Sequence, residues 1–157
     1  MKIAVLGSGA GGTAVAFDWS AHGHEVFLFD IDRFPVNVRH IAETGGIEAE
    51  GKLEGKVPVA WAGHDIETAM KGADIVFLVG PAFATRPMAA ACAPYLESGQ
   101  EVIVCPGSTG GALAFKDEAA QTFSMLVMHM YGCGPLPTII HGKYLTTRGL
   151  IYFTQAL

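Results

Sequence analysis

The chain has 157 residues and a mass of 16.5 kDa, enough for one compact domain with a substantial core. Half of the residues are apolar and only 16% are charged, which excludes a disordered segment, a collagen-like chain and a highly charged coiled coil. The net charge of −5 gives no attraction to nucleic acid or to an anionic membrane surface, so neither is an expected partner.

The cysteine spacing indicates the redox compartment and the absence of a metal site, and the longest uncharged segment tests for a membrane span. Cys92, Cys105 and Cys133 are widely spaced and form no CxxC pair, which indicates reduced thiols and no metal site. Residues 119–142 contain no Asp, Glu, Lys or Arg, but the break at 132–137 leaves too short an apolar core for the ~20 residues of a membrane span. We therefore expect a soluble, cytoplasmic protein.

Short apolar runs alternate with helical patterns along the first 116 residues. Strands are predicted at 2–6, 25–29, 74–79 and 101–105, with further short strands within 46–61 that end in 57–61. Helices are predicted at 12–22, 34–44, 65–71 and 84–97. Because nearly continuous apolar strands alternate with helices, we predict an α/β fold with a doubly wound parallel sheet.

A glycine-rich motif follows the first predicted strand and opens the first predicted helix. It has the form G-x-G-x-x-G and comprises Gly7, Ser8, Gly9, Ala10, Gly11 and Gly12. Gly7 permits the tight turn, Gly9 lets the backbone approach a pyrophosphate, and Gly12 lets the helix pack closely on the strand. The helix N-terminus then presents free N–H groups to the phosphates. This context predicts a Rossmann-type dinucleotide-binding domain.

An acidic residue ends the second predicted strand. Asp30 lies eighteen residues after Gly12, near the spacing expected for the residue that binds the adenosine ribose. Its charge would repel a 2′-phosphate, which favours NAD over NADP. Arg33 lies close by and can accommodate that phosphate, so NADP stays open as the cofactor.

Two later loops also follow predicted strands at the sheet edge where ligands bind. Pro81, Ala82 and Phe83 come after the strand at 74–79, and Pro106 and Gly107 come after the strand at 101–105. Their small residues leave room for the nicotinamide half of a cofactor. Ordinary loop chemistry explains either segment equally well when it is taken alone.

Four segments together resemble the N-terminal domain of the octopine/nopaline (opine) dehydrogenase family, within the 6-phosphogluconate-dehydrogenase-like group. They are GSGAGG at 7–12, GIEAEG at 46–51, GADIVFLVGPAFA at 72–84 and CPGSTGGAL at 105–113. The resemblance covers about residues 1–116 and implies NAD(P)H-dependent reductive condensation of an amino acid with a 2-oxo acid. It gives no catalytic residue, because the family's second domain has no match here.

The remaining residues, 117–157, are predicted to be a short unmatched tail that adds a helix or strand, or an interface, to the domain at 1–116. Asp117 and Glu118 suit the first turn of a helix there. The uncharged stretch 123–140 can form a homo-oligomer contact or dock a separate catalytic chain. Two functions therefore stay open: an opine-type oxidoreductase, and a non-catalytic dinucleotide-binding module that needs a partner chain.

Overall fold

The computed structural model describes residues 1–51, 54–107 and 110–119, together with the backbone of two strands at 126–132 and 149–154. The helices are α1 (Ala10–Ala21), α2 (Pro35–Thr44), α3 (Ile66–Met70), α4 (Thr85–Cys92) and α5 (Gly111–Ala119). The strands are β1 (Lys2–Leu6), β2 (Glu25–Phe29), β3 (Gly46–Ala49), β4 (Gly55–Pro58), β5 (Trp61–Gly63), β6 (Ile75–Val79), β7 (Glu101–Cys105), β8 (Leu126–Gly132) and β9 (Gly149–Thr154).

Seven strands form one sheet in the order β5-β2-β1-β6-β7-β8-β9. Each neighbouring pair from β5 to β8 is parallel, and β9 joins the edge antiparallel to β8. The order from β5 to β8 is that of the doubly wound dinucleotide-binding fold. The direction in which successive strands are added to the sheet reverses between β1 and β6. The predicted fold class is confirmed. Strands β3 and β4 form a separate antiparallel hairpin.

Burial on both faces of the sheet explains why its central strands are nearly continuous apolar runs. Along β1, Ala4 and Leu6 pack into one apolar cluster, whereas Ile3 and Val5 pack into the other. The first cluster contains Phe115 of α5 and the second contains Ile41 of α2, so helices cover each side. Such a strand is expected in a parallel sheet that is enclosed by helices.

Element boundaries differ from the prediction where proline intervenes. The strand expected at 57–61 is instead divided, because β4 ends at Pro58, which has no N–H to donate, and β5 begins at Trp61 in the main sheet. The helix expected at 84–97 is shorter. Its regular part, α4, ends at Cys92 and is followed by a 3-10 turn that contains Pro94.

The placement of Asp117 and Glu118 in the first turn of a helix is wrong. Helix α5 begins already at Gly111. Ala112, Phe115 and Ala119 are buried at helical spacing, so the apolar face of the helix starts well before the two acids. The two acids therefore lie in its last turn, beside the guanidinium of Arg86. The predicted division between residues 116 and 117 falls inside this helix, and the backbone of β8 and β9 continues the same sheet.

Within the described ranges, no helix has both the length and the apolar character that crossing a membrane requires. The segment 123–140, predicted as an oligomer contact, lies outside the residues whose side chains are described.

Candidate functional site

The predicted site residues come together at the carboxyl edge of the parallel strands. The motif at 7–12 follows β1, Asp30 follows β2, and the two later loops follow β6 and β7. Strand β1 lies between β2 and β6, which places the glycine motif at the reversal of strand order. Ligands of open α/β sheets bind in the crevice at this point. The strand order thus brings to one edge loops that lie up to about 100 residues apart in the sequence.

Gly7 and Gly12 are required by the backbone itself. Gly7 has φ of +115°, in the region that favours glycine, and a Cβ there would lie 2.0 Å from the carbonyl oxygen of Val79. A Cβ on Gly12 would lie 1.7 Å from the carbonyl oxygen of Gly7. The tight turn and the close approach of α1 to β1, both predicted from the motif, are present.

Gly9 differs from these two glycines because a Cβ there would meet no atom within 4 Å. It is the N-cap of α1, with φ of −67° and ψ of −178°, and its carbonyl accepts the first helical bond from Thr13 N–H at 2.9 Å. Ala10 and Gly11, which follow it, are exposed. The N–H groups in this first turn have no partner within the helix, so they are free to bind an anion.

Asp30 is 7% exposed and braces the glycine motif. Its Oδ2 accepts hydrogen bonds from both the N–H and the hydroxyl of Ser8, each at 2.7 Å, and its Oδ1 accepts from Ile31 N–H at 2.8 Å. Ser8 is 1% exposed. The acid that the sequence assigns to ribose binding therefore also holds the loop that precedes the phosphate site.

Two further side chains at this edge carry no sequence signal. Asn37 of α2 donates from Nδ2 to the carbonyl oxygen of Ser8 at 2.6 Å. His64, just after β5, places Nδ1 at 2.7 Å from the carbonyl oxygen of Asp30 and 3.8 Å from a carboxylate oxygen of Asp32. Because Asn37 and His64 lie 29 and 34 residues from their hydrogen-bonding partners, only the folded chain brings them together.

Arg33 lies on the exposed turn between β2 and α2. Its guanidinium carbon is 6.0 Å from the centre of the Phe34 ring, and both residues are exposed. Arg33 thus follows Asp30 at the edge of the predicted ribose site. Ile31, beside it, is exposed as well.

The loops after β6 and β7 are more open than the glycine motif. Pro81, Ala82, Phe83 and Pro106 are exposed, with Phe83 at 83%, whereas Gly107 is buried. The loops are joined through Gly80 N–H, which donates to the carbonyl of Cys105 at 3.1 Å, and Gly107 accepts from Gly111 N–H at 3.2 Å.

The described cysteines are Cys92 at the end of α4 and Cys105 at the end of β7. Burial raises the pKa of Cys92 to about 12, and burial also raises the pKa of Cys105. A thiol with a raised pKa is a poor nucleophile at neutral pH. Across the described residues, no three His, Cys, Asp or Glu side chains converge to hold a metal ion.

This sheet order, together with a glycine turn that opens at a helix N-terminus, defines the class of dinucleotide-binding dehydrogenase domains. Residues 2–112 match the family described as NAD-dependent glycerol-3-phosphate dehydrogenase N-terminus, and the chain belongs to this family. The NAD cofactor predicted for the chain is the cofactor of the family.

Individual relatives include two kinds of dehydrogenase. The chain is 40% identical over 114 residues to an opine dehydrogenase from Arthrobacter sp. (strain 1C), a match that covers 72% of this chain and 31% of the relative. It is 34% identical over 111 residues to a glycerol-3-phosphate dehydrogenase [NAD(P)+] from Paramagnetospirillum magneticum, covering 66% and 37%. The predicted resemblance to the opine dehydrogenases is confirmed. The chain spans about a third of the length of these relatives.

The fold is similar to that of octopine dehydrogenase solved with NADH and pyruvate. The TM-score is 0.71 at 23% sequence identity, and the match covers 83% of this chain and 35% of that one. The family match and the 40% identity to an opine dehydrogenase confirm the prediction of an oxidoreductase domain at the level of an NAD-dependent dehydrogenase N-terminal domain.

Proposed function

We propose that this chain binds NAD as the cofactor-binding part of an opine dehydrogenase-type oxidoreductase, which condenses an amino acid reductively with a 2-oxo acid. One observation carries the proposal. The helix N-terminus at Gly9 faces open space, and the preceding residue, Ser8, is hydrogen-bonded to the buried Asp30. Both lie at the point in the sheet where the strand order reverses. The 40% identity to an opine dehydrogenase supports this reaction over the other dehydrogenase reactions of the family.

The pyrophosphate of the dinucleotide would lie over Gly9 and the first turn of α1. The space beyond Gly9 is open, so the phosphates can approach the backbone closely. The free N–H groups of Ala10 and Gly11 and the positive end of the helix dipole then stabilise the negative charge. Gly7 and Gly12 act indirectly, because they fix the turn and bring α1 against β1.

The hydrogen bonds that Asp30 already accepts leave one acceptor position for a ribose hydroxyl. An ionised carboxylate offers about four lone-pair positions. Ser8 occupies both positions on Oδ2, and Ile31 N–H occupies one on Oδ1. The remaining position on Oδ1 is the one that we assign to the adenosine ribose.

The same carboxylate favours NAD over NADP in this proposal. Asp30 is nearly buried, so a 2′-phosphate beside it would bring two negative charges together with little solvent between them. Arg33 is exposed on the following turn and is the only cation that follows β2 before α2, so NADP binding would depend on it. We expect weaker binding of NADPH than of NADH.

The loops after β6 and β7 would face the nicotinamide half of the cofactor. Pro81, Ala82, Phe83, Pro106 and Gly107 supply small or apolar surface there and few side-chain polar groups. Bound nicotinamide supplies the hydride. These residues would orient the ring and exclude water from one of its faces, and none of them is proposed as an acid or a base.

Calorimetric titration with NADH and NADPH tests the binding, and NADH oxidation with pyruvate and a panel of amino acids tests the reaction. We expect micromolar NADH binding and weaker NADPH binding. Gly9→Ala is the matched variant, because its added methyl group lies in the proposed pyrophosphate space without touching the protein. Failure of the wild-type chain to bind NADH would overturn the proposal.

A second candidate function is a non-catalytic dinucleotide-binding module that works with a partner chain. Its support is that Pro81, Ala82, Phe83, Pro106 and Gly107, the described residues proposed to face the nicotinamide, include no side-chain acid or base. NADH binding without turnover for any substrate pair would favour this function over the first. The proposed contact through residues 117–157 predicts a dimer or larger assembly by light scattering, and a strict monomer would contradict that contact.

A further inference from the structure

Ser8, inside the glycine motif, is held at three of its polar atoms. Its N–H and hydroxyl donate to Asp30, and its carbonyl oxygen accepts from Asn37 Nδ2 at 2.6 Å. A carbonyl oxygen can only accept, so the Asn37 amide must present its nitrogen to it. Ser8 is therefore fixed both from the end of β2 and from α2.

Core packing sets the position of Asn37. Val38 and Ile41 of the same helix are buried, at 1% and 5% exposure, and Ile41 belongs to the cluster beneath β1. Asn37 itself stays on the exposed side of α2. A helix anchored by its apolar face thus carries a polar side chain to a loop that lies 29 residues earlier in the chain.

The hydrogen bond from Asn37 also affects the direction of the N–H group of Gly9, the residue after Ser8. The carbonyl of Ser8 and the N–H of Gly9 share one peptide plane and point in opposite directions in a trans peptide. Fixing the carbonyl direction therefore fixes the direction of Gly9 N–H. Gly9 begins α1, and its own carbonyl receives the Thr13 N–H. The orientation of this peptide decides how the first N–H groups of α1 meet an anion.

We infer that Asn37 is a positioning residue for dinucleotide phosphates: it holds the Ser8–Gly9 peptide plane in the orientation that phosphate binding needs. The inference rests on the proposed dinucleotide binding and assigns a role to a residue outside the glycine motif. In this role Asn37 acts through its hydrogen bond to Ser8 and needs no contact of its own with the cofactor. Its effect should therefore depend on whether the ligand carries phosphate.

Two substitutions test this role in the full chain. Asn37→Leu keeps a side chain of similar size and removes the donor, and the exposed helical position tolerates leucine. Asn37→Asp keeps the shape but turns an acceptor toward the Ser8 carbonyl. Arg39→Gln, exposed on the same helix, is the control for the single negative charge that Asn37→Asp adds. Thermal unfolding checks that each variant is folded.

The ligands are ADP, NADH and adenosine, with calorimetry for the first two and ligand-observed NMR for adenosine. We expect both Asn37 variants to bind ADP and NADH about tenfold more weakly, as for loss of one hydrogen bond that supports a charged ligand. Adenosine affinity should change less than about twofold, because the ribose contact at Asp30 does not pass through Asn37. Equal losses for adenosine and ADP would overturn the inference.

A measurement without ligand separates this inference from the proposed function. Amide NMR of the free chain should show shifted or broadened Gly9 and Ala10 signals in the Asn37 variants, with faster hydrogen exchange, and wild-type signals in Arg39→Gln. If the wild-type chain bound no nucleotide, the proposed function would fail while these signals still tested the hold of Asn37 on the loop. Unchanged Gly9 and Ala10 signals would overturn the inference by themselves.

Discussion

The two halves of the carboxyl edge of the sheet are built differently. On the side of β1 and β2, buried Ser8 and Asp30 are tied together by hydrogen bonds, and Asn37 holds the same loop from α2. On the side of β6 and β7, Pro81, Ala82, Phe83 and Pro106 are exposed, and the hydrogen bonds described for these two loops join main-chain atoms.

This difference separates a preorganised region from an open one. Polar side chains that are buried and fully paired hold one geometry, because leaving any of them unpaired costs free energy. Exposed apolar side chains hold no such geometry. In the proposed function the first half therefore recognises phosphate and ribose, whereas the second half presents surface that a bound ring or another part of the protein can cover.

The largest effect is expected from glycines in the preorganised half. Gly12→Ala would place a methyl carbon 1.7 Å from the Gly7 carbonyl oxygen. The backbone at Gly7 or at the start of α1 would therefore have to move. We expect a loss of about 3 kcal/mol in the free energy of unfolding, as for severe overpacking of a core. Urea denaturation measures this loss.

Gly9→Ala is the matched control for Gly12→Ala. The same added methyl group meets no protein atom at Gly9, and its backbone angles suit alanine. The free energy of unfolding should change by less than about 0.5 kcal/mol. NADH affinity should nevertheless fall by about tenfold or more, because the methyl group occupies space that the pyrophosphate needs. A stable Gly12→Ala, or unchanged NADH binding by Gly9→Ala, would remove the distinction between the two glycines.

Asp30→Ala should affect both stability and binding. The variant leaves buried Ser8 donors without their carboxylate, which costs about 1–3 kcal/mol of unfolding free energy. It also removes the proposed ribose acceptor, so NADH affinity falls by about tenfold and the preference over NADPH narrows. Ser8→Ala serves as the comparison, because it removes one donor and keeps the acid. Unchanged NADH affinity in Asp30→Ala would contradict the proposed ribose contact.

The sequence alone predicts much of the framework of this edge. Strands β1, β2 and β7 have the predicted bounds, because a buried parallel strand is a continuous apolar run that ends where glycine, aspartate or proline begins. The turn at Gly7 and the close contact at Gly12 follow from the spacing of the glycines, since that spacing encodes local geometry.

Contacts that depend on tertiary packing were beyond sequence reasoning. No local pattern marks Asn37, because its bond to Ser8 exists only once Val38 and Ile41 have packed α2 against the sheet. The error in the predicted position of Asp117 has a related cause. An acidic pair is typical of a helix start, but here the guanidinium of Arg86, on another helix, offsets its charge at a helix end.

In the open half, Phe83→Ala should have a much smaller effect than Asp30→Ala. The ring is 83% exposed, so its removal should change the unfolding free energy by less than about 0.5 kcal/mol. NADH affinity should fall by no more than about threefold, and ADP affinity should not change, because the loop after β6 is proposed to face the nicotinamide half. Fluorescence titration with both ligands measures this. An equal loss for ADP and NADH would place Phe83 on the adenosine side.

A small effect, on stability alone and not on ligand binding, is expected at the ion pairs that join α4 to α5. Arg86 Nη1 lies 3.2 Å from a Glu118 oxygen and 3.4 Å from an Asp117 oxygen. Since the Arg86 side chain is 57% exposed, Arg86→Gln should lower the unfolding free energy by only about 0.5 kcal/mol. High salt should reduce even this loss, because solvent ions screen exposed charges.

A double-mutant cycle of Arg86→Gln with Glu118→Gln isolates the pair from the other effects of each substitution. We expect a coupling energy of a few tenths of a kcal/mol in low-salt urea titrations, about the value of an exposed ion pair. The acids also lie at the C-terminal end of α5, where their charge opposes the helix dipole. Glu118→Gln alone should therefore cost less than Arg86→Gln alone, because it removes an unfavourable charge together with the ion pair. A larger cost for Glu118→Gln than for Arg86→Gln would contradict the unfavourable interaction of Glu118 with the helix dipole.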